Sequence, residues 1–308
     1  MREPSTGITP EELAADPHPI LHRLRSEAPV VWVESLGAWM VLSHELCTLV
    51  MLDPVTFTVD DPRFSTQQVI GPSMLSLDGA RHRRHRDPFA HPFRAGRIAE
   101  LETGVTAMAS GLMERLAGNG ITDLRADMAG PLAVAVMTHV LDMDGVAAED
   151  LLGWYQDIVD AVHHVTEGGA VPESGANAFD ALKEAVSAHL STSDLLRSVD
   201  DGGSLTVDEI VSNVAVLLFG GIVTSESSTA IAFRQLLVDD GLRQQVAEDR
   251  SLVSPLVEEV FRFEPSAAVV DRYATRDVDL GGAAIRHGDL VRVSLSAANR
   301  DPAIFTDP

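Results

Sequence analysis

Leu217-Leu218-Phe219-Gly220-Gly221-Ile222-Val223-Thr224 lies in the middle of an apolar helical pattern that opens at Thr206 and runs to about Leu237. Thr206-Val207-Asp208-Glu209 supplies the start: Thr206 can cap the first backbone donors and Glu209 can reach back to complete a capping box. From Val214 to Val223 the residues are apolar almost all round, which predicts a long helix through the middle of the molecule. Gly220-Gly221 costs such a helix about 1 kcal/mol per glycine relative to alanine. Something compensates, either close packing of another helix or a flat ligand lying against bare backbone.

Working outward, the chain reads as mainly helical with small sheets. Upstream, Pro19 to Arg25 places Ile20, Leu21 and Leu24 on one helical face. Val30-Val31-Trp32-Val33 and Ala38-Trp39-Met40-Val41 form a hairpin across Ser35-Leu36-Gly37. Ser43 caps a helix that stops at Asp53-Pro54, with Cys47 inside it as a small buried hydrophobe. Residues 55–79 read as a long loop, of a length that in a compact domain is often functional. From 96 to 166 the pattern is helical almost throughout, broken at Gly118-Asn119-Gly120, with helices at about 130–141 and 147–164 and a further one at 178–197 after a loop over 168–176. Downstream, a short helix ends near Phe263. Strands then follow at Tyr273–Thr275, Val278–Leu280, Ala284–Ile285 and Leu290–Leu295, with turns at Gly281-Gly282 and His287-Gly288-Asp289.

Composition narrows the function classes. The 308 residues are 45% hydrophobic and 22% charged, and 23 Lys+Arg against 46 Asp+Glu leave a formal charge of −23. That field disfavours nucleic acid and anionic lipid surfaces as partners. One cysteine excludes a disulfide framework within the chain. The Met1–Thr6 start lacks a signal-peptide apolar stretch, and Val214–Val223 is shorter than the ~18 residues a membrane span needs. A cytoplasmic protein without membrane attachment is the expectation.

Several motifs, in one order, resemble the cytochrome P450 family of the soluble bacterial kind, over nearly the whole chain. Leu217 to Thr224 is similar to that fold's central helix, Glu259-Val260-Phe261-Arg262 to its Glu-x-x-Arg element, and Asp78 to Arg86 to the helix beside the haem. Asp271-Arg272-Tyr273-Ala274-Thr275 and Ala298-Asn299-Arg300-Asp301-Pro302 resemble the strand and turn that lead toward the haem-ligand loop. The resemblance implies a mainly α P450 fold with small β-sheets, a single domain over 1–308 lacking its C-terminal haem-ligand region, and, as the activity of the intact parent, haem-dependent monooxygenation of a lipophilic small molecule. It also implies ferredoxin and ferredoxin reductase as electron donors, since no flavin or nicotinamide fingerprint occurs here.

Residue roles follow from the same resemblance. Burying haem's two propionates calls for cationic donors, which map onto His82, Arg86 and Arg272. Gly220 and Gly221 would let oxygen and substrate approach the haem, and Thr224 would relay protons to bound oxygen. Val223 stands where the family usually has an acid, and Glu226 one turn on is either a partial replacement or a solvent-facing carboxylate. Glu259 and Arg262 are either a surface ion pair or part of a network bracing the proximal side of the haem. His82 and His85, at i, i+3, have no acidic residue nearby to complete a metal set, so no protein-ligated metal site is expected. Pro88 disfavours helix at Asp87, so the helix holding His82 and Arg86 would start late or bend.

The family's iron ligand is a cysteine thiolate. By resemblance it lies beyond Ala303-Ile304-Phe305-Thr306-Asp307-Pro308, and Cys47 does not match it. The sequence thus reads as a P450 fold incomplete at its C-terminus, truncated before the haem-thiolate loop. The alternative is a haem-less homologue acting as an auxiliary activator of a biosynthetic enzyme such as a glycosyltransferase. Substrate contacts are expected from Phe57 to Met74, around Gly168, from Phe219 to Thr224, and from Ala267 to Val270.

Overall fold

A computed structural model describes residues 7–118, 120–143 and 145–308. The Met1–Thr6 start and Asn119 of the Gly118-Asn119-Gly120 break lie outside the described residues. In chain order the helices and strands are α1 (Pro10–Ala15), α2 (Pro17–Glu27), β1 (Val30–Val33), β2 (Ala38–Val41), α3 (His44–Leu52), β3 (Phe57–Thr58), α4 (Ser65–Ile70), α5 (Gly79–Arg86), α6 (Ala95–Leu116), α7 (Gly130–Val140) and α8 (Ala148–Thr166). They continue as α9 (Glu173–His189), α10 (Asp194–Asp201), α11 (Val207–Val238), α12 (Asp240–Glu248), α13 (Val253–Phe263), β4 (Val269–Ala274), β5 (Val278–Leu280), β6 (Ala283–Ile285), β7 (Leu290–Ser294) and α14 (Leu295–Ala298). The chain divides into two compact units, residues 60–233 and residues 1–59 with 234–308.

In the unit formed by the chain ends, a five-stranded sheet has the order β1-β2-β7-β4-β3. β1 and β2 are the expected hairpin, with Trp32 opposite Trp39 and their rings edge to face at 5.5 Å. β2 runs parallel to β7 and β4 antiparallel to it, so strands far apart in sequence are central neighbours. Alternation sends Trp39, Val41, Val291, Val293, Val270 and Ala274 into one core with Cys47 and Val50 of α3. Met40, on the other face, packs with Leu21 and Leu24 of α2. Gly281 closes the β5–β6 turn at φ +59°, and a Cβ there would stand 2.6 Å from Leu46 Cδ1, so both backbone and space require glycine.

The other unit is helical. Its core gathers Val134 and Met137 of α7, Ile158 and Ala161 of α8, Leu182 and Val186 of α9, and Ile210, Val214, Leu218 and Ile222 of α11. α8 and α9 approach so closely that a Cβ on Gly175 would sit 2.4 Å from Ala161 Cβ. The capping box forms as expected: Glu209 N–H donates to Thr206 Oγ1 at 3.3 Å and Thr206 N–H to Glu209 Oε2 at 2.9 Å.

Four expectations are corrected. Residues 55–79 are not one loop: Phe57–Thr58 pairs with β4, and α4 is held to α8 by Thr166 Oγ1 donating to Ser65 Oγ at 2.9 Å. The helix placed at 178–197 is two. α9 starts at Glu173 directly after Pro172, and Ser193 caps a new helix by accepting from Leu196 N–H at 3.0 Å. α12 went unread because it offers only Leu242 and Val246 as an apolar face. Pro88 does not delay α5, which is helical from Gly79 through Arg86; Asp87 keeps helical φ and ψ as the chain tightens into a 3-10 turn that holds Pro88 in its first turn, where a missing N–H is harmless.

Candidate functional site

At 100° per residue, Gly220 and Thr224 fall on one side of α11, with Val216, Val223 and Ser227 beside them. That stripe is only half-buried, and Gly220 is exposed. The two glycines have different reasons. A Cβ on Gly221 would stand 2.2 Å from Met137 Sδ, so Gly221 admits α7, whereas a Cβ on Gly220 would meet nothing within 4 Å. Helix packing therefore explains Gly221, and Gly220 presents bare backbone. The Thr224 hydroxyl donates to the Gly220 carbonyl one turn back.

Glu226 sits about 200° around the helix from Thr224 and serves another surface. Its Oε1 accepts from Arg125 Nε at 2.8 Å, beside the π-helical turn Arg125–Ala129, and its carboxylate lies under Gly130. Nearby, Tyr155 packs edge to face on Phe219 at 5.3 Å, and burial, with the Glu226 charge adding, pushes its phenol up to about 12. Glu226 is thus neither solvent-facing nor on the Thr224 side.

α5 has two differently occupied faces. Arg81 pairs with Asp60, and Arg84 pairs with Glu209 at the start of α11. Next to them His85 is buried, with Asn213 Nδ2 at 2.9 Å from Nδ1 and Arg84 Nη2 at 2.9 Å from Nε2. Nε2 also lies 3.4 Å from Glu209 Oε1, and burial, reinforced by the Arg84 charge, lowers the His85 pKa against the opposing Glu209 charge. Asn213 is fixed in turn: its Nδ2 donates to the Glu209 carbonyl at 2.7 Å and its Oδ1 accepts from Met74 N–H at 2.8 Å. The Arg84 hydrogen bond holds the Glu209 carboxyl down at about 2. The opposite face carries half-buried His82 and exposed Arg86, at i, i+4, and neither side chain has a partner among the described residues.

The remaining site residues belong to the other unit. Arg272 is half-buried on β4, where alternation puts it on the same face as Val270 and Ala274; its Nη1 donates to the Asp271 carbonyl at 2.8 Å. Glu259 and Arg262 form a two-pronged pair, with Nε–Oε2 at 2.7 Å and Nη2–Oε1 at 2.6 Å. Arg262 also donates to the Asn299 carbonyl at 2.7 Å and lies 5.1 Å from the Phe305 ring centroid. Arg300 stacks on Phe263 at 3.7 Å and donates to its carbonyl at 2.8 Å. The pair is therefore more than a surface contact, because it ties α13 to the turn after α14.

Haem can be tested against these residues. An arginine and a histidine on one helical turn, without partners among the described residues, suit carboxylate recognition, and the open Gly220 backbone suits a flat group. Cys47 does not suit an iron: it is buried, its thiol faces the Val41 and Ser294 carbonyls at 3.4 and 3.8 Å, and burial pushes its pKa up to about 12. The residues present fit the propionates and the face of α11; Cys47 is a packing residue.

Comparison with known proteins agrees. The cytochrome P450 family model matches residues 180–308. Cytochrome P450 monooxygenase PikC of Streptomyces venezuelae is 30% identical, over 98% of this chain and 76% of that protein. The chain belongs to the cytochrome P450 family. Among other relatives of this P450, cytochrome P450 107B1 of Saccharopolyspora erythraea is 29% identical over 99% of the chain and 81% of its own length. The solved structure of CalO2 is 26% identical with TM-score 0.82, covering 96% of the chain and 79% of CalO2. CxnD, titled as a P450 for C–S bond formation in chuangxinmycin biosynthesis, superposes at TM-score 0.87 with 22% identity, covering 99% and 78%, and shows the shared fold. Family membership makes haem the cofactor and monooxygenation the reaction class.

Sequence reading missed the His85–Asn213 pairing and the Arg125–Glu226–Tyr155 cluster. No local signal marks either, since His85 and Asn213 are 128 positions apart and Arg125 and Glu226 are 101 apart.

Proposed function

We propose that the intact parent of this P450 inserts one oxygen atom of dioxygen into a lipophilic small molecule, as a single-domain cytoplasmic enzyme supplied with electrons by a ferredoxin and its reductase. The observation that carries the reading is the exposed Gly220 backbone with the Thr224 hydroxyl one turn on, along the open stripe of α11. Relatives named nocardicin C N-oxygenase and vitamin D(3) 25-hydroxylase are consistent with oxygenation of organic molecules.

When bound, haem supplies the reductive activation of dioxygen, and the protein supplies binding, orientation and protons. His82 and Arg86, on one side of α5, would hold a propionate, and by the family resemblance Arg272 would be the third donor. Gly220 keeps side-chain bulk out of the space beside α11. The Thr224 hydroxyl, anchored on the Gly220 carbonyl, offers its oxygen to a water that brings protons. Val223 carries no proton, so that water is replenished without a carboxylic acid from the adjoining position. Glu259 and Arg262 keep α13 and the Asn299 turn in register.

Two experiments test this. With ferredoxin, reductase and a panel of apolar compounds under ¹⁸O₂, the reading expects one labelled atom in a product; oxygen uptake without incorporation would sink it. In haem titrations of the chain, Arg272→Ala should weaken binding about tenfold or more through loss of a charge-assisted contact. Arg292→Ala, which alternation places on the other face of the sheet, should leave binding nearly unchanged, and equal losses would remove the propionate assignment.

A further inference from the structure

On the sheet face that carries Met40 and Arg292, between the strands and the α1–α2 corner, the structure contains a cavity of about 270 Å³; it takes in Ala268 and Val269 of the segment expected to meet substrate, but on the face opposite Arg272. Leu13 and Pro17 form one wall, Met40, Val269 and Arg292 line the sheet side, and Ser296 of α14 contributes a hydroxyl. The lining is mostly apolar. The Arg292 charge is already offset by Asp271: Nη2 donates to Oδ2 at 3.3 Å, while Nε and Oδ1 lie 3.1 Å apart as an ion pair without a hydrogen bond between them.

Ser296 is different. The residue is 6% exposed, yet its hydroxyl has no hydrogen-bond partner among the described residues. Neighbouring Ser294 has already used its oxygen to accept from Ala297 N–H at 3.2 Å. The Ser296 hydroxyl is open to the cavity and not sealed in protein, so a partner for it comes from whatever fills that space, and one water beside it would fill about a ninth of the space at ~30 Å³ per water. The mostly apolar lining favours replacing the remaining water with an apolar guest.

We propose that this cavity binds an uncharged, largely apolar small molecule of roughly nine to twelve non-hydrogen atoms, whose carbonyl or ether oxygen accepts the Ser296 hydroxyl. The charge class follows from the Asp271–Arg292 pair and the polar handle from Ser296.

The test uses the full chain with ¹³C-methyl methionine, the Met40 resonance being identified by its loss in Met40→Leu. 4-tert-Butylcyclohexanone should shift that resonance in a saturable way. Ser296→Ala should weaken the ketone about threefold to tenfold, the range of one neutral hydrogen bond, and leave tert-butylcyclohexane unchanged. The anionic 4-tert-butylbenzoate should bind no tighter than the ketone. A Met40 signal that stays put up to the ketone's solubility limit overturns the proposal, as does equal weakening of ketone and hydrocarbon or tighter binding of the benzoate. Leu13→Trp, which fills the cavity, should abolish both neutral ligands; if that variant unfolds by circular dichroism, the Ser296→Ala comparison decides alone.

Discussion

Gly220 and Gly221 are chemically identical and adjacent, yet their surroundings assign them opposite consequences. Replacing Gly220 by alanine adds a methyl group to open space, so only the backbone gain remains and stability should rise by up to about 1 kcal/mol. Gly221→Ala gains the same propensity but drives a Cβ into the Met137 thioether, and overpacking of about 1–3 kcal/mol should win. Urea unfolding of the two variants reads the difference directly. If both are stabilised, Met137 moves aside freely and α7 does not depend on a bare residue 221. The sequence could show that the pair needed compensation, but not which glycine served which purpose, because the deciding atom belongs to α7.

Among the helices and strands, legibility followed the range of the interactions. The Thr206–Glu209 box, the Ser43 cap and the β1–β2 hairpin are set by neighbours a few residues apart, and all three form as read. The α9–α10 break carries a local but short polar signal, the Ser193 cap on Leu196, whereas α4 and the parallel β2–β7 pairing depend on partners far along the chain. The same holds for the junction of α5 with α11, where Arg84, His85, Glu209 and Asn213 meet. This junction predicts a two-stage acid profile. His85 is neutral when folded and its pKa is lowered, so the unfolded chain binds its proton first and stability declines as pH falls below about 6.5. Glu209 titrates at about 2 when folded, against an ordinary glutamate value of 4.5, so its contribution is full above about pH 4.5 and is lost as pH falls toward 2. Glu209→Gln keeps an oxygen for the Thr206 N–H, so it should cost up to about 1 kcal/mol at pH 7, through the partly exposed Arg84 pair alone. The gap to wild type should close between pH 4.5 and 2. A gap that stays constant across that window would mean that the Arg84–Glu209 charge pair contributes nothing.

For the whole molecule, the governing quantity is the formal charge of −23. Two electrostatic effects oppose each other. Ion pairs such as Arg84–Glu209, Arg125–Glu226 and Arg262–Glu259 stabilise the fold and weaken as salt screens them. Unpaired carboxylates repel one another in the compact state, and salt relieves that repulsion. Each pair has at least one partly exposed member and contributes at most about 1 kcal/mol, while carboxylates outnumber Lys and Arg two to one, 46 to 23. Repulsion should dominate, so raising NaCl from about 10 mM to about 0.5 M, which shortens the screening length from roughly 30 Å to below 8 Å, should raise Tm by several degrees. Part of that gain should also appear without salt as carboxylates neutralise below about pH 5, offset by the His85 and Glu209 losses. A Tm that falls steadily with NaCl would show that the paired arginines outweigh the excess charge, and would turn attention to Arg84 and Arg262 as the residues holding the fold together.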